Sequence, residues 1–388
     1  MRNRRFWRRL AVPLAFLGSL LLVLGILALR DAEAGDTFDV VRWERATIAN
    51  KWLHALGKPF RDDLEDNEAI RRYFALDDLS TDEARELENA VEAVIEGRID
   101  AVLSDLTIEG RFPIPASVFP PVDVELAQSP RVLVISPRDH IERISSNLLR
   151  SDLAEGELVE IEFETEEDDE LSALVVGTGG VATYPAVVAE GWSYRRTLEI
   201  SAHEWVHHYL AFYPLGRNYF DSNDLQTINE TVADVVGDEV AAVILERWGD
   251  PTVAPPTLTA VPTATPEPTI APDSPSESPR VDRNEVLRDL RIEVDDLLAE
   301  GKVEEAEVRM EAVRLELCDA GFCLRRINQA HFAWFGTYAA RPDATDLIGP
   351  QIFVLRERSE SLAEFLESVR GADSREAVEQ LVLEVETG

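Results

Sequence analysis

The residues with the clearest chemical potential form the run His203-Glu204-Trp205-Val206-His207. On a helix, positions i and i+4 lie on one face, so the two imidazoles can reach a single metal ion. Glu204 is rotated by about 100° from His203, where its carboxylate can take a proton from a water molecule that zinc has made acidic. The spacing therefore predicts a Zn²⁺ ion at His203 and His207, with Glu204 as the general base.

A catalytic zinc site also needs a third protein ligand and an open coordination position. Glu230 is the candidate ligand, and 22 residues separate it from His207. These residues are enough for a loop and for the return of the chain as a second helix. Asp234 lies four positions after Glu230, on the same helical face. We expect Asp234 to accept the free ring N–H of a ligating histidine and thereby to fix the tautomer of that ring.

The H-E-x-x-H run of residues 203–207, followed by the N-E-x-x-x-D run of residues 229–234, resembles the gluzincin superfamily of zinc metallopeptidases. That superfamily includes thermolysin and the neutral aminopeptidases, and the resemblance indicates no subfamily. It implies that the two histidines and Glu230 hold zinc, that Glu204 is the base, and that Asp234 supports a ligand histidine. The two runs are a few residues further apart than in the best-known members, so we expect a different connecting loop.

Peptide hydrolysis passes through a tetrahedral oxyanion, which needs a hydrogen-bond donor beside the metal. The best source of a donor is the segment 328–338, in which His331 and Tyr338 are seven positions apart. On a predicted helix they share one face, and either could supply the donor, as His and Tyr do in thermolysin-like sites. The alternative for each residue is an ordinary packed polar aromatic side chain.

The N-terminus is typical of a targeting segment. Residues 1–9 contain five arginines, and the 19 residues Ala11–Leu29 carry no charge. This apolar run is just long enough to cross about 30 Å of hydrocarbon as a helix. We expect a single-pass anchor, with the arginines in the cytoplasm and the body of the protein outside it. The alternative is a signal peptide cleaved near Ala32-Glu33-Ala34, which would give a secreted protein.

The charge balance excludes nucleic acid as a partner. The formal net charge is −36, although the first 30 residues contain six of the 38 Lys and Arg and no Asp or Glu. The remaining chain therefore balances 32 positive against 74 negative side chains and repels polyanions. The expected partners are a peptide or exported protein substrate and, through the N-terminal helix, a membrane. The alternative function is an inactive zinc-binding scaffold or interaction protein at the cell surface.

The chain divides into five predicted regions. They are a cytoplasmic tip and anchor (1–30), a helical N-terminal region (31–125), a metallopeptidase core (126–250), a disordered Pro/Thr-rich linker (251–280) and a helical part that completes the peptidase domain (281–388). The two cysteines of an exported chain, Cys318 and Cys323, are expected to form a disulfide. The sequence leaves the oligomeric state open.

The fold class predicted from periodicity is α+β and predominantly helical, with a small sheet before a two-helix zinc-binding core. The expected strands are 131–137, 158–165 and a glycine-interrupted pair over 174–188. That pair is either an ordinary hairpin or an edge to which an extended peptide adds. The expected helices are 31–60 in part, 80–97, 140–150, 195–212, 224–248, a hairpin over 281–318, 324–340 and 359–370.

Overall fold

The computed structural model describes residues 35–40, 43–44, 47, 64–79, 81–106, 108, 118–253, 282–338 and 344–387. The predicted membrane segment Ala11–Leu29, most of the helical segment expected within 31–60, and residues 254–280 of the predicted linker lie outside these ranges. Within them, no helix combines the length and apolar character that a membrane span requires.

The described residues form a mixed fold that is mainly helical, which confirms the α+β prediction at this level. Its twelve helices are α1 (Asn67–Tyr73), α2 (Asp82–Asp105), α3 (Glu155–Thr165), α4 (Tyr194–Leu210), α5 (Pro214–Arg217), α6 (Asn223–Trp248), α7 (Arg283–Ala299), α8 (Val303–Asp319), α9 (Gln329–Phe335), α10 (Ile348–Arg358), α11 (Leu362–Val369) and α12 (Arg375–Thr387). Its six strands are β1 (Val124–Ala127), β2 (Arg131–Pro137), β3 (Ser145–Leu149), β4 (Leu171–Gly177), β5 (Gly180–Val181) and β6 (Ala186–Ala189).

The strands form two three-stranded sheets. One has the order β3-β2-β4 and is antiparallel throughout, with the predicted strand 131–137 at its centre. The other has the order β1-β6-β5, in which β6 pairs parallel with β1 and antiparallel with β5. The predicted strand pair over 174–188 is therefore divided, because β4 belongs to the first sheet and β5 and β6 to the second. This leaves β5 at the edge of the second sheet.

Two predictions of local structure are wrong. The segment 140–150 is a connection followed by strand β3 and not a helix, because the ladder with β2 places Leu149 in a buried cluster beside Leu133. Residues 158–165 belong to helix α3 and not to a strand. Their alternation of apolar and acidic residues fits both periods, and the helix buries Leu158 and Glu162, which are four apart, on one face.

The predicted helix 80–97 is longer than expected. Helix α2 continues through Gly97 to Asp105, and the hydroxyl of Thr81 caps it by accepting a hydrogen bond from the amide of Ala84. Gly97 therefore lies inside the helix, where the absence of a side chain makes room for a neighbouring segment. A Cβ atom there would lie 2.8 Å from Cδ2 of Leu64, so glycine permits the close approach of the segment before α1.

The C-terminal part confirms the helical hairpin, which turns at Gly301 with a φ of +74° between α7 and α8. Cys318 and Cys323 form the expected disulfide. The helix predicted over 324–340 is shorter, because Arg325 and Arg326 lie in a loop and pair with Glu162 of α3 and with Glu166 at the C-terminal cap of α3. The helix predicted over 359–370 is confirmed as α11. Helices α10 and α12 are absent from the predictions.

Helices α4 and α6 lie in the largest hydrophobic core, which they share with α1, α2, α10, α11, α12, β1 and β6. Gly237 of α6 permits their closest approach. A Cβ atom at Gly237 would lie 2.7 Å from the carbonyl oxygen of Glu199 and 3.3 Å from the amide nitrogen of His203. The hairpin of α7 and α8 has a smaller core of its own, together with Ile327 and Phe332.

Candidate metal centre

Helix α4 carries the H-E-x-x-H run, as its apolar periodicity predicts. The side chain of Ser193 caps the helix at its N-terminus, and Leu198, Ala202 and Val206 are buried along it. Helix α6 begins in the same way, with the side chain of Ser222 accepting a hydrogen bond from the amide of Leu225. Local sequence thus defines both helices, and their packing brings one face of each together.

The structure brings together His203, His207 and Glu230, whose potential ligand atoms all lie within 4.8 Å of one another. The two histidine Nε2 atoms are 3.0 Å apart. Oε2 of Glu230 lies 3.3 Å from Nε2 of His203 and 3.8 Å from Nε2 of His207. These three atoms form a compact triangle on the facing sides of α4 and α6, the arrangement that a single ion requires.

Each histidine is oriented by an acceptor on α6. Nδ1 of His203 lies 2.9 Å from a carboxylate oxygen of Asp234, and Nδ1 of His207 lies 2.7 Å from the amide oxygen of Asn229. Asn229 also donates to the carbonyl of Leu215, which fixes the direction of its amide group. Nδ1 of each ring therefore carries a proton, and Nε2 of each ring is directed towards the triangle. The orienting role of Asn229 was not predicted, although its position beside Glu230 places it near the ligand face.

The surrounding protein groups shift the pKa values of all three candidate ligands. Burial acts to lower the pKa of His203, but hydrogen bonds to Asp234 and Glu230 outweigh it and raise that pKa well above its ordinary value. Burial and the neighbouring His203 lower the pKa of His207 to about 4 against the opposing effect of Glu230. Burial opposes ionisation of Glu230, yet the two histidines lower the pKa of its carboxyl to about 2. The candidate ligand set therefore includes a carboxylate that is ionised at neutral pH.

Glu204 is buried on the same helix, outside the ligand triangle. Burial raises its pKa to about 8, an effect that Glu230 and Asp234 strengthen and His203 opposes. Its carboxylate lies against the edge strand β5, since a Cβ atom at Gly180 would be 2.5 Å from Oε1 of Glu204. A dication beside the carboxylate would favour its ionised form. Glycine at position 180 is thus needed to leave room for Glu204.

Tyr219 is a site residue that sequence reasoning missed. Its hydroxyl donates a hydrogen bond of 2.5 Å to Oε1 of Glu230, and its ring stands edge-on to His207 at a centroid distance of 6.1 Å. Burial and the charge of Glu230 raise the pKa of Tyr219 well above its usual range. The available signal was its place in the loop that joins the two ligand helices. Such a loop must pass close to the ligand face.

The structure separates the two predicted donors. Helix α9 ends at Phe335, so His331 and Tyr338 do not share a helical face. Tyr338 lies within electrostatic range of Glu230, and burial together with that charge raises its pKa well above its usual range. His331 is buried in α9, with its ring centroid 4.7 Å from that of Phe335, and α9 packs on β2 and β4. Tyr338 therefore interacts electrostatically with one of the candidate ligands, Glu230.

Comparisons with models of known protein families, with curated proteins and with solved structures find no match to this chain. The site geometry is therefore the basis for assigning a function.

Proposed function

We propose that the protein is a zinc-dependent peptidase of the gluzincin type. The observation that carries the proposal is the position of Glu204, a buried carboxylate on the ligand helix that does not belong to the ligand triangle. A zinc site that only holds a fold needs no such group, whereas a hydrolytic site needs a base beside an open coordination position.

The residues fit zinc in both chemistry and spacing. Two imidazoles and one carboxylate are an established ligand set for a catalytic zinc ion, which keeps its fourth position for water or substrate. With bonds of about 2.0–2.1 Å, a tetrahedral ion separates its ligand atoms by about 3.3 Å. The three edges of the triangle measure 3.0, 3.3 and 3.8 Å. His203, His207 and Glu230 would therefore hold the ion without a rearrangement of the two helices.

A zinc ion bound there supplies Lewis-acid chemistry, by which it polarises a carbonyl oxygen and lowers the pKa of water. The chain supplies the remaining functions. Glu204 accepts the proton of the attacking water and can deliver it to the leaving amine. Tyr219 holds Oε1 of Glu230, which directs Oε2 towards the histidines. Tyr338 is the candidate donor to the oxyanion.

The edge strand β5 supports a peptide as the substrate. β5 pairs with β6 on one side, is one of the two outer strands of its sheet, and lies against Glu204 at Gly180. An extended peptide can add to such an edge through main-chain hydrogen bonds. The scissile peptide bond of such a substrate would then lie close to the proposed general base, Glu204. This proposal adopts the second of the two predicted interpretations of the segment 174–188.

The proposed location is outside the cytoplasm, with residues 11–29 as the membrane anchor or, alternatively, as part of a cleaved signal. The disulfide between Cys318 and Cys323 supports an oxidising compartment. The balance of 32 positive against 74 negative side chains beyond residue 30 favours a well-solvated surface in that compartment.

The test is the incubation of the full chain, purified in detergent and loaded with zinc, with a mixed peptide library that is analysed by mass spectrometry. The wild-type protein is expected to cleave the library. The variant Glu204→Gln is expected to lose at least about 10²-fold in rate while binding one zinc ion, because only the base is removed. Glu246→Gln, which removes an exposed carboxylate of α6, is the matched control. Equal rates for wild type and Glu204→Gln would refute the proposed base, and zinc binding without any cleavage would favour the scaffold.

A further inference from the structure

Arg143, on the connection between β2 and β3, lies beside the candidate metal centre, and no carboxylate among the described residues forms an ion pair with it. Within the described residues, Nη2 of Arg143 donates to the amide oxygen of Gln226, and the guanidinium carbon lies 5.2 Å from the ring centroid of Trp334. Other half-exposed arginines of this acidic chain, such as Arg138 and Arg375, form ion pairs with carboxylates. In the part of the chain that the structure describes, an amide and a ring contact the guanidinium of Arg143, and neither carries a compensating negative charge.

The position of Gln226 places Arg143 next to the ligands. Gln226 precedes Glu230 by four residues, so the two side chains share one face of α6 about one helical turn, or 5.4 Å, apart. The electrostatic effects agree with this placement. The charge of Arg143 acts to lower the pKa values of both Tyr219 and Tyr338, against the stronger raising effects of burial and Glu230.

The backbone around Arg143 is fixed on both sides. The amide of Glu142 donates to Oγ of Ser136 at 3.2 Å, and the amide of Ile144 donates to the carbonyl of Ile135 at 3.1 Å. The carboxylate of Glu142 interacts with Nε2 of His140 at 3.0 Å. These hydrogen bonds hold the backbone that carries the Arg143 side chain in one conformation. Ordering it costs little additional conformational entropy when a ligand binds.

The stacked and tethered guanidinium is suited to a planar anion. Trp334 covers one face of the group and Gln226 holds one edge, while a guanidinium offers five N–H donors in a fork that matches the two oxygens of a carboxylate. The nearby acidic groups, Glu204, Glu230 and Asp234, face the histidines and the proposed zinc ion. A peptide carries carboxylates of its own, at its C-terminus or on Asp and Glu side chains.

We propose that Arg143 determines the substrate specificity of the site by binding a carboxylate of the peptide, either its free C-terminus or an acidic side chain. This proposal rests on the proposed peptidase function and names its substrate class. One helical turn between Gln226 and Glu230 corresponds to about two residues of extended chain at about 3.3 Å each. Cleavage is therefore expected within about two residues of the bound carboxylate.

The test compares the zinc-loaded full chain with its Arg143→Gln and Arg143→Lys variants on acetylated hexapeptide libraries. One pair of libraries lacks Asp and Glu and ends in either a free carboxylate or a carboxamide. A second pair is amidated and contains either Glu or Gln at one varied position. The wild type is expected to cleave the carboxylate member of one pair about tenfold faster or more, the range for a charged hydrogen-bonded pair. The pair that shows the preference identifies the source of the carboxylate.

Arg143→Gln is expected to reduce this preference to about twofold or less, with zinc content and the melting temperature retained. Arg143→Lys keeps the charge but not the fork, so it is expected to keep only part of the preference. Arg288→Gln removes an exposed arginine of α7 and should keep the full preference. A preference that survives in Arg143→Gln, or a wild type without any preference, would overturn the proposal.

Failure of the peptidase function would be recognised separately, as an absence of cleavage in all four libraries. Binding is therefore also measured by isothermal titration calorimetry, with the zinc-loaded Glu204→Gln protein and with the double variant that adds Arg143→Gln. Two pairs of probes are compared. Acetyl-tetraalanine is compared with its C-terminal amide, and acetyl-tetraalanyl-glutamate amide is compared with acetyl-tetraalanyl-glutamine amide. Tighter binding of a carboxylate probe that is lost with Arg143→Gln would support the subsite without any turnover. Equal binding by the two proteins would refute it.

Discussion

Asp234 and His203 are joined across the two ligand helices, with a carboxylate oxygen of Asp234 2.9 Å from Nδ1 of the imidazole. This contact places a proton on Nδ1 of His203 and directs Nε2 towards the triangle, where a bound metal ion would take the place of the Nε2 proton. His207 has the corresponding contact with Asn229. The histidines of the candidate metal centre are thus oriented by α6 as much as by α4, although α4 carries the H-E-x-x-H run.

Asp234→Ala should weaken zinc binding about 10–100-fold, because the variant loses the acceptor that holds the ring of His203. The measurement is a competition titration with a fluorescent chelator. Asp238→Ala is the matched control, since it removes an exposed carboxylate one turn further along α6 and should change the affinity less than about twofold. Equal losses in the two variants would show that net charge, and not the orientation of His203, governs affinity.

The two tyrosines of the site should have separable roles. Tyr219→Phe removes the hydroxyl that holds Oε1 of Glu230, so it should weaken zinc binding by about tenfold or more. Tyr338→Phe should retain zinc affinity and lower kcat by about 10²–10³-fold, the effect of losing one oxyanion donor. Zinc titration and steady-state kinetics on the same preparations distinguish the two. A Tyr338→Phe variant with wild-type kcat would remove Tyr338 from the mechanism and leave the oxyanion donor to be found elsewhere.

Gly180→Ala should displace the general base. The new Cβ atom would lie 2.5 Å from Oε1 of Glu204 and 2.8 Å from the carbonyl oxygen of Val187, so either Glu204 or β5 must shift. We expect a loss of at least about tenfold in kcat and a cost of about 1–3 kcal/mol in the free energy of unfolding. Gly177→Ala, in β4, is the control because no atom lies within 4 Å of its Cβ position. Unchanged kinetics in Gly180→Ala would contradict the close packing of β5 on Glu204.

The ion pair of Asp346 with Arg375 should contribute to the free energy of unfolding at neutral and mildly acidic pH, and this contribution should be lost at low pH. Hydrogen bonds from Arg375, at 2.8 and 2.9 Å, lower the pKa of Asp346 against the opposing effect of burial, and the amide of Ile348 adds a further donor. Since the folded pKa lies below the unfolded value of about 3.9, the contribution is present above that value. It is lost as the pH falls through the folded pKa. Because the pair is partly exposed, it is worth about 1 kcal/mol or less.

The measurement is urea unfolding of wild type and Asp346→Asn at pH 7, pH 5 and pH 3. The wild type should be the more stable protein at pH 7 and pH 5, and its advantage should become smaller at pH 3. An advantage of equal size at all three pH values would show that the ionised carboxylate is not the source of the stability.

Local sequence was sufficient to predict the ligand helices and the alignment of candidate ligands along them. His203 and His207, like Glu230 and Asp234, are four residues apart, and the helix converts that spacing into one face. Apolar periodicity then indicates which face is buried. The central strand β2, the hairpin of α7 and α8 and the Cys318–Cys323 disulfide could be predicted for similar reasons, because each depends on residues close in the chain.

Other features could not be predicted because neighbouring residues do not decide them. The segments that form β3 and α3 match more than one periodicity, and pairing with β2 or the burial of Glu162 selects the outcome. Glu162 accepts hydrogen bonds from the amide of Val175 and from Arg325, both far away in the chain. Such contacts exist only after the sheet and helices have assembled.

The sequence by itself therefore determined which side chains are available for the proposed chemistry, namely two imidazoles and the carboxylates of Glu204 and Glu230 at helical spacing. Only the tertiary structure decided which other side chains meet them. It brought Asn229 to His207, Tyr219 to Glu230, Gly180 to Glu204 and Arg143 to the ligand-bearing face of α6. The physical reason is that helical spacing is a property of the local backbone, whereas contacts between loops, strand edges and helix faces depend on how distant segments pack.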